Sequence, residues 1–268
     1  DSNSFVNYAQ EKKFYPVVAN GTGKYKVTTP IKVHGNIGFS INGNDFMPKQ
    51  ANTYGYYSVT LVCNDSIFYS RKLDEIPFAN GKDINSFIDY NEQIKSKRYF
   101  EKAFVDPNND LTIYTNLINR GVFRTGDKDS AICEFRVADY HGNMAAARFV
   151  LVQNYPDSLH KKNAKHPQTL PCTEEFVYSQ SGFAFIANNK TFFTDFTCKI
   201  SVDEKIDKNY YSPKYRISTN QSIYKGAAKI SIQSKVPEHL YSKALIKSVG
   251  SNRPVSSKID EFGVLHAS

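Results

Sequence analysis

Six histidines, His34, His141, His160, His166, His239 and His266, are where any metal centre in this chain would start. A catalytic zinc takes three protein ligands and keeps a fourth position open for water. No two of these histidines are separated by a single residue, and the residues four positions after His34, His141 and His239 are Gly38, Ala145 and Lys243, none of them a carboxylate. His160 and His166 fall in a segment that reads as linker. The four cysteines, Cys63, Cys133, Cys172 and Cys198, form no Cys-x-x-Cys pair, so structural zinc spacings are absent as well. The expectation is a chain with no catalytic residue, no metal ligand and no cofactor.

Other stretches resemble chemical motifs only in part. In "DPNND", residues 106–110, a calcium loop would need Gly at its sixth position and Glu at its twelfth, where Leu111 and Leu117 stand. Asx-turn chemistry ahead of a strand accounts for it better. "ANGTGKYK", residues 19–26, has Gly21 and Gly23 too close together for a phosphate-binding loop, and Tyr25 where Ser or Thr is required. "HGN", residues 141–143, comes without a nucleophile motif and reads as a turn. Tyr54, Tyr56 and Tyr57 are of the type that stacks on sugar rings, but aromatic residues in β-domains mostly pack.

The elements that would position such residues are strands. The chain has 18 Tyr and 19 Phe, no Trp and 2 Met, an aromatic excess that favours pleated, half-buried surfaces. In "YGYYSVTLVCNDSIFYSRKLD", residues 54–74, Tyr57, Val59, Leu61 and Cys63 share one face, Tyr57, Val59 and Leu61 are expected to face the core, and "CNDS" breaks the run as a hairpin turn does. Further strands are expected in residues 14–27 around a Gly-rich turn, 31–43, 111–117 and 131–152, the last folded back at "DYHGN". Residues 89–97, "DYNEQIKSK", carry Asp89 with Glu92 three positions on, the capping-box spacing of a short helix. From Gln153 to Pro171 the apolar rhythm stops among Pro, Lys and His. A second set of strands follows, with a tight turn expected at "NNK", residues 188–190.

The reading is all-β: two Ig-like β-sandwich domains in tandem, at 1–153 with an N-terminal extension and a short inserted helix, and at 171–268 with a final strand that ends without a turn, joined by a linker at 154–170. Cys63 and Cys133 lie in phase with apolar neighbours and read equally as buried thiols or a cross-core disulfide. Cys172 and Cys198 flank aromatic strand-like runs and are the better disulfide candidates. The net charge of +8 is spread along the chain, which favours a Lys-rich surface over a nucleic-acid site. No stretch approaches the ~20 apolar residues of a membrane span. The start, without Met or an apolar leader, reads as a cut from something longer or a processed end.

The stretches "KKFYPVV", "IKVHGNIGFSING", the 54–74 hairpin, "INSFIDYNEQIKSKRYFEKAF", "NNDLTIYTNLINRGVF", "VADYHGNMAAARFVL", "YSPKYRIS", "YKGAAKISIQSKVPEHLYSKALI" and "IDEFGVLHAS" come in an order that resembles the region after the catalytic domain of large secreted zinc endopeptidases of the lysostaphin/LytM type from Gram-negative bacteria. That family's zinc apparatus, a His and an Asp four residues apart plus His-x-His, does not carry over. The resemblance implies a non-catalytic accessory region of a peptidoglycan peptidase, exported to the periplasm or the cell surface. Its implied partners are a catalytic domain in the parent chain and peptidoglycan or an envelope protein. The alternatives are an independent carbohydrate- or peptidoglycan-binding module and a protein-interaction subunit of an envelope complex.

Overall fold

The computed structural model describes residues 4–46, 53–126, 129–154, 168–206, 208, 210–251 and 253–268. It is 43% strand and 11% helix, which makes the chain all-β. Two compact units are present, Asp1–Asn163 and Ala164–Ser268. Most of the expected linker lies outside the described residues. At its far end Leu170 and Phe196 exchange backbone hydrogen bonds of 2.7 and 3.0 Å, so Leu170 already belongs to the second unit.

The first unit is built on a nine-stranded sheet. Its main path runs Phe5–Val6, Ile31–His34, Met144–Gln153, Ser130–Ala138, Ser58–Cys63, Ser66–Lys72 and Tyr114–Leu117, with Lys24–Lys26 and Val18–Ala19 joined beside Met144–Gln153. Period-two alternation turns Ala131, Cys133, Phe135 and Val137 to the same face as Val59, Leu61 and Cys63, and that face is the core. Over it lie two short pairs, Glu101–Lys102 with Ser40–Ile41 and Phe123–Arg124 with Asn36–Ile37. Ile37, Ala103 and Val105 are buried in the same cluster, and Phe39 joins it through ring contacts to Phe149 at 5.4 Å and Phe123 at 6.3 Å.

The 54–74 hairpin forms as its alternation requires, with Asn64 and Asp65 both left-handed in the turn. Two bulges change which side chains it buries. Tyr57 N donates to the Ala138 carbonyl although Ala138 is paired with Ser58, so two residues oppose one. Tyr56 packs against the core, while Tyr57, expected to face inward, hydrogen-bonds Asp74 and meets Tyr140 edge-on at 5.1 Å. On the partner strand Ile67 faces Val62 and Tyr69 faces Leu61, which makes Phe68 the extra residue. The slip places Tyr69 and Arg71 on the core face, Arg71 opposite Val59 and 1% exposed.

Arg71 is there to hold the helical excursion. Its guanidinium forks onto the Glu101 carboxylate, Nε to Oε1 at 2.7 Å and Nη2 to Oε2, and its Nη1 donates to the Tyr56 and Tyr57 carbonyls at 2.8 and 2.7 Å. Glu101 is 5% exposed; burial pushes its carboxyl up against the downward pull of Arg71. The excursion it anchors holds a short helical turn at Phe78–Asp83, the helix Ile84–Phe87 and the expected helix, Tyr90–Ser96. Asp89 caps the last of these by accepting from Glu92 N at 3.2 Å. Glu92 does not reach back, because Asp89 N already donates to the Phe100 carbonyl; its carboxylate takes Ser96 and Arg98 instead.

The second unit has a five-stranded sheet in the order Phe176–Gln180, Phe183–Ala187, Ala228–Gln233, Val264–Ala267, Ser257–Ile259, and a separate pair, Cys198–Asp203 with Lys214–Thr219. The chain does turn at "NNK", where Thr191 N donates to the Asn188 carbonyl at 3.1 Å and Lys190 N to Asn188 Oδ1 at 2.9 Å, but no strand pairs back across it. The hairpin turn of this sheet is at Ser181 and Gly182, both at positive φ, while Thr191 to Thr197 run irregularly and bury Phe192, Phe193 and Phe196. Phe183 stacks on Tyr215 at 4.4 Å.

If the Arg71–Glu101 fork braces the first unit, removing one partner leaves an uncompensated buried charge and costs about 3–5 kcal/mol. Glu101→Leu alone should lose about that much in urea denaturation, and the Arg71→Met/Glu101→Leu double variant should lose clearly less than the sum of the singles. Strict additivity would show that the two side chains act independently.

Candidate functional site

The braced excursion returns to the sheet through residues 101–124, and this return forms a groove. From Glu101 the chain buries Ala103 and Val105 and turns Phe104 outward over Gly38, where a Cβ would sit 2.7 Å from the Phe104 ring. Asp106 follows, 6% exposed, its carboxylate taking the Ser86 hydroxyl and the Lys102 ammonium. Asn119, Arg120 and Gly121 then pass in succession at positive φ of 47°, 54° and 79°. Glycine is required at the third, since a Cβ there would meet the Ala103 carbonyl at 2.4 Å. The turn is held by Val105 N to the Arg120 carbonyl at 2.9 Å and by Asn119 Nδ2 to the Val122 carbonyl at 2.9 Å. An arginine in a left-handed conformation costs of order 1–3 kcal/mol and persists only where the surroundings over-determine it.

The result is an open groove of about 450 Å³ lined by Asn36, Phe104, Asn119, Arg120, Val122 and Arg124, among others. The Arg120 guanidinium is oriented by carbonyls, Nε to Val105 O at 3.0 Å and Nη2 to Asp106 O. Carbonyl dipoles aim the charge without neutralising it. The adjacent carboxylate of Asp106 is already matched by Lys102, so the groove is cationic. Two guanidinium groups with nearby amides recognise carboxylates or other oxyanions in bidentate fashion. They offer neither a nucleophile nor a general base.

The histidines expected to be non-ligating are dispersed. His34 lies in a strand against Phe5, His141 in the 139–143 turn, His239 in a short helical turn and His266 in a strand; His160 and His166 lie outside the described residues. Among the described residues no group of three His, Cys, Asp or Glu could hold a metal ion. "DPNND" is turn chemistry: Asn109 Oδ1 accepts from Leu111 N at 3.0 Å and Asn109 Nδ2 donates to the Asp83 carbonyl. Tyr54, Tyr56 and Tyr57 form no common platform. Tyr56 is turned inward, with burial pushing its hydroxyl up to about 12. No bond joins Cys172 to Cys198, the favoured disulfide pair; the Cys172 thiol donates to the Phe193 carbonyl at 3.8 Å.

One constellation escaped the sequence reading. Ser231 Oγ lies 2.9 Å from His266 Nδ1, and His266 Nε2 lies 3.0 Å from Asp260 Oδ2. These are the residue types of a nucleophile, base and orienting acid. Ser231, however, sits inside Ala228–Gln233, a strand paired on both sides, so the neighbouring N–H groups belong to the ladders and none of them is left as an oxyanion donor. Asp260 is a turn residue whose Oδ1 accepts from Phe262 N and Val264 N. Its carboxyl is held below the usual range, first by His266.

No family model, no curated protein and no solved structure matches the chain.

The commitment of the N–H groups beside Ser231 to the ladders leads to a direct expectation for the Ser231–His266–Asp260 row. A fluorophosphonate probe should leave Ser231 unlabelled at pH 8, by intact-mass analysis. Stoichiometric labelling, abolished in His266→Ala, would identify a working nucleophile.

Proposed function

We propose that the chain is a non-catalytic binding and positioning module, the accessory region of a secreted cell-wall zinc peptidase, with each unit an Ig-like β-sandwich. The observation that carries the reading is the cationic groove on its braced base. It presents two arginines of which one, Arg120, is aimed by backbone carbonyls, an arrangement suited to an acidic ligand. Wall peptides carry free carboxylates of the kind such a fork accepts. The link to a wall peptidase rests on the order of the motifs, and it places the module outside the cytoplasm, in the periplasm or at the cell surface. There it would hold a catalytic domain of the parent chain against peptidoglycan. A sugar-stacking module is less well supported, since Tyr56 and Tyr57 are engaged elsewhere. An envelope-complex subunit would require a protein ligand for the same groove.

A hydrogen bond to a charged group is worth ~1.5–3 kcal/mol, and each 1.4 kcal/mol is about tenfold in affinity. Purified peptidoglycan sacculi should therefore retain the protein at low salt, less well as salt rises, and about tenfold more weakly when the exposed Arg124 is replaced in Arg124→Glu. Equal retention of the two proteins, or none of the parent at low salt, would contradict the reading.

A further inference from the structure

Cys63 and Cys133 occupy directly opposed positions in neighbouring central strands of the first unit, Ser58–Cys63 and Ser130–Ala138, though 70 residues apart in the chain. One position outward, Asn64 N donates to the Ile132 carbonyl at 2.9 Å, the ladder bond that flanks a non-hydrogen-bonded pair, and Asn64 Oδ1 takes the place of its carbonyl in accepting from Ile132 N at 3.0 Å. Hydrogen-bonded and non-hydrogen-bonded pairs alternate along an antiparallel ladder, so Cys63 and Cys133 form a non-hydrogen-bonded pair. There the Cα atoms approach to ~4.5 Å and the side chains lie closest. That separation is within the span of a disulfide. Both side chains point into the core, 4% and 0% exposed, and the Cys133 thiol donates to Cys63 Sγ. No other pair among the four cysteines has this placement: Cys172 Sγ turns to the Phe193 carbonyl, and Cys198 is half-buried.

We propose that Cys63 and Cys133 are a covalent modification site, a cross-strand disulfide formed against a disulfide-bearing thiol oxidant. The thiolate of one cysteine attacks the oxidant's disulfide, forming a mixed disulfide and expelling one oxidant thiolate. The second cysteine, on losing its proton, attacks the protein sulfur of that mixed disulfide. The Cys63–Cys133 bond forms and the second oxidant thiolate leaves. Two protein thiols are oxidised, and one oxidant disulfide is reduced to two thiols. In the closed sheet this exchange is slow, because the bond to Cys63, together with burial, pushes the Cys133 thiol up and starves it of thiolate. The bond therefore forms while the strands are still closing, and once formed it is shielded from reductants. The loop it closes contains Arg71, Glu101 and the whole groove-bearing excursion, and is of a length for which cross-linking restricts the unfolded chain strongly.

The test refolds the full chain with oxidised glutathione, alkylates it in denaturant without reduction, and maps its peptides. The expected result is one linked pair of peptides carrying Cys63 and Cys133, alkylated Cys172 and Cys198, and a Tm roughly 10 °C higher than that of reduced protein. In Cys198→Ser the link and the shift should both persist. Four alkylated cysteines after this treatment, or a link that contains Cys172 or Cys198, would overturn the assignment.

Discussion

The first unit depends on one buried ion pair. Arg71 and Glu101 come from a central hairpin and from the return of the helical excursion, and they meet inside the core with all three guanidinium nitrogens and both carboxylate oxygens engaged. A charge in this position is costly unless every partner is present. The fork therefore ties two distant segments to a single register: 101–105 cannot slide along the sheet without stranding Arg71. Nearby, the buried Tyr69 hydroxyl has no hydrogen-bond partner among the described residues, an additional cost that the same packing absorbs.

What the fork fixes, the groove uses. Val105 and Asp106 follow Glu101 by a few residues, and their carbonyls hold Arg120. The left-handed run Asn119, Arg120, Gly121 docks against Ala103 so tightly that only glycine fits at its end. A cation aimed by dipoles rather than cancelled by a carboxylate is suited to recognition, and a base that does not shift keeps the ordering cost of binding low. The Cys63–Cys133 position lies at the far end of the same strand whose Val59 faces Arg71, so the proposed cross-link and the ion pair would secure the two ends of one element.

How much of this was legible depended on how local each signal is. The 54–74 hairpin, the "DYHGN" turn and the Asp89 cap were readable, because alternation, turn residues and capping act over a few residues. The inward Arg71 was not, because a single extra residue at Phe68 reverses the phase that alternation alone would assign. The same kind of slip moved Tyr57 out and Tyr56 in. The chain turns at "NNK" as its Asn residues suggest, but it closes no hairpin there, because the apolar run after Lys190 packs as irregular core rather than as strand. Cysteine pairing needed cross-strand register, which spacing does not contain. The groove joins residues 36, 104–107 and 119–124, and only the Asn-Arg-Gly triplet hinted at an unusual backbone.

The central claim is that the Arg71–Glu101 fork holds the groove-bearing excursion in place as a unit. Native-state amide hydrogen exchange on the parent protein and Glu101→Gln tests it most directly. The account predicts that in the variant the protected amides of residues 84–124 lose protection together, by about the same factor, while those of Ser130–Ala138 and Met144–Gln153 remain slow. Unchanged exchange across 84–124, or an equal loss throughout the sheet, would contradict it.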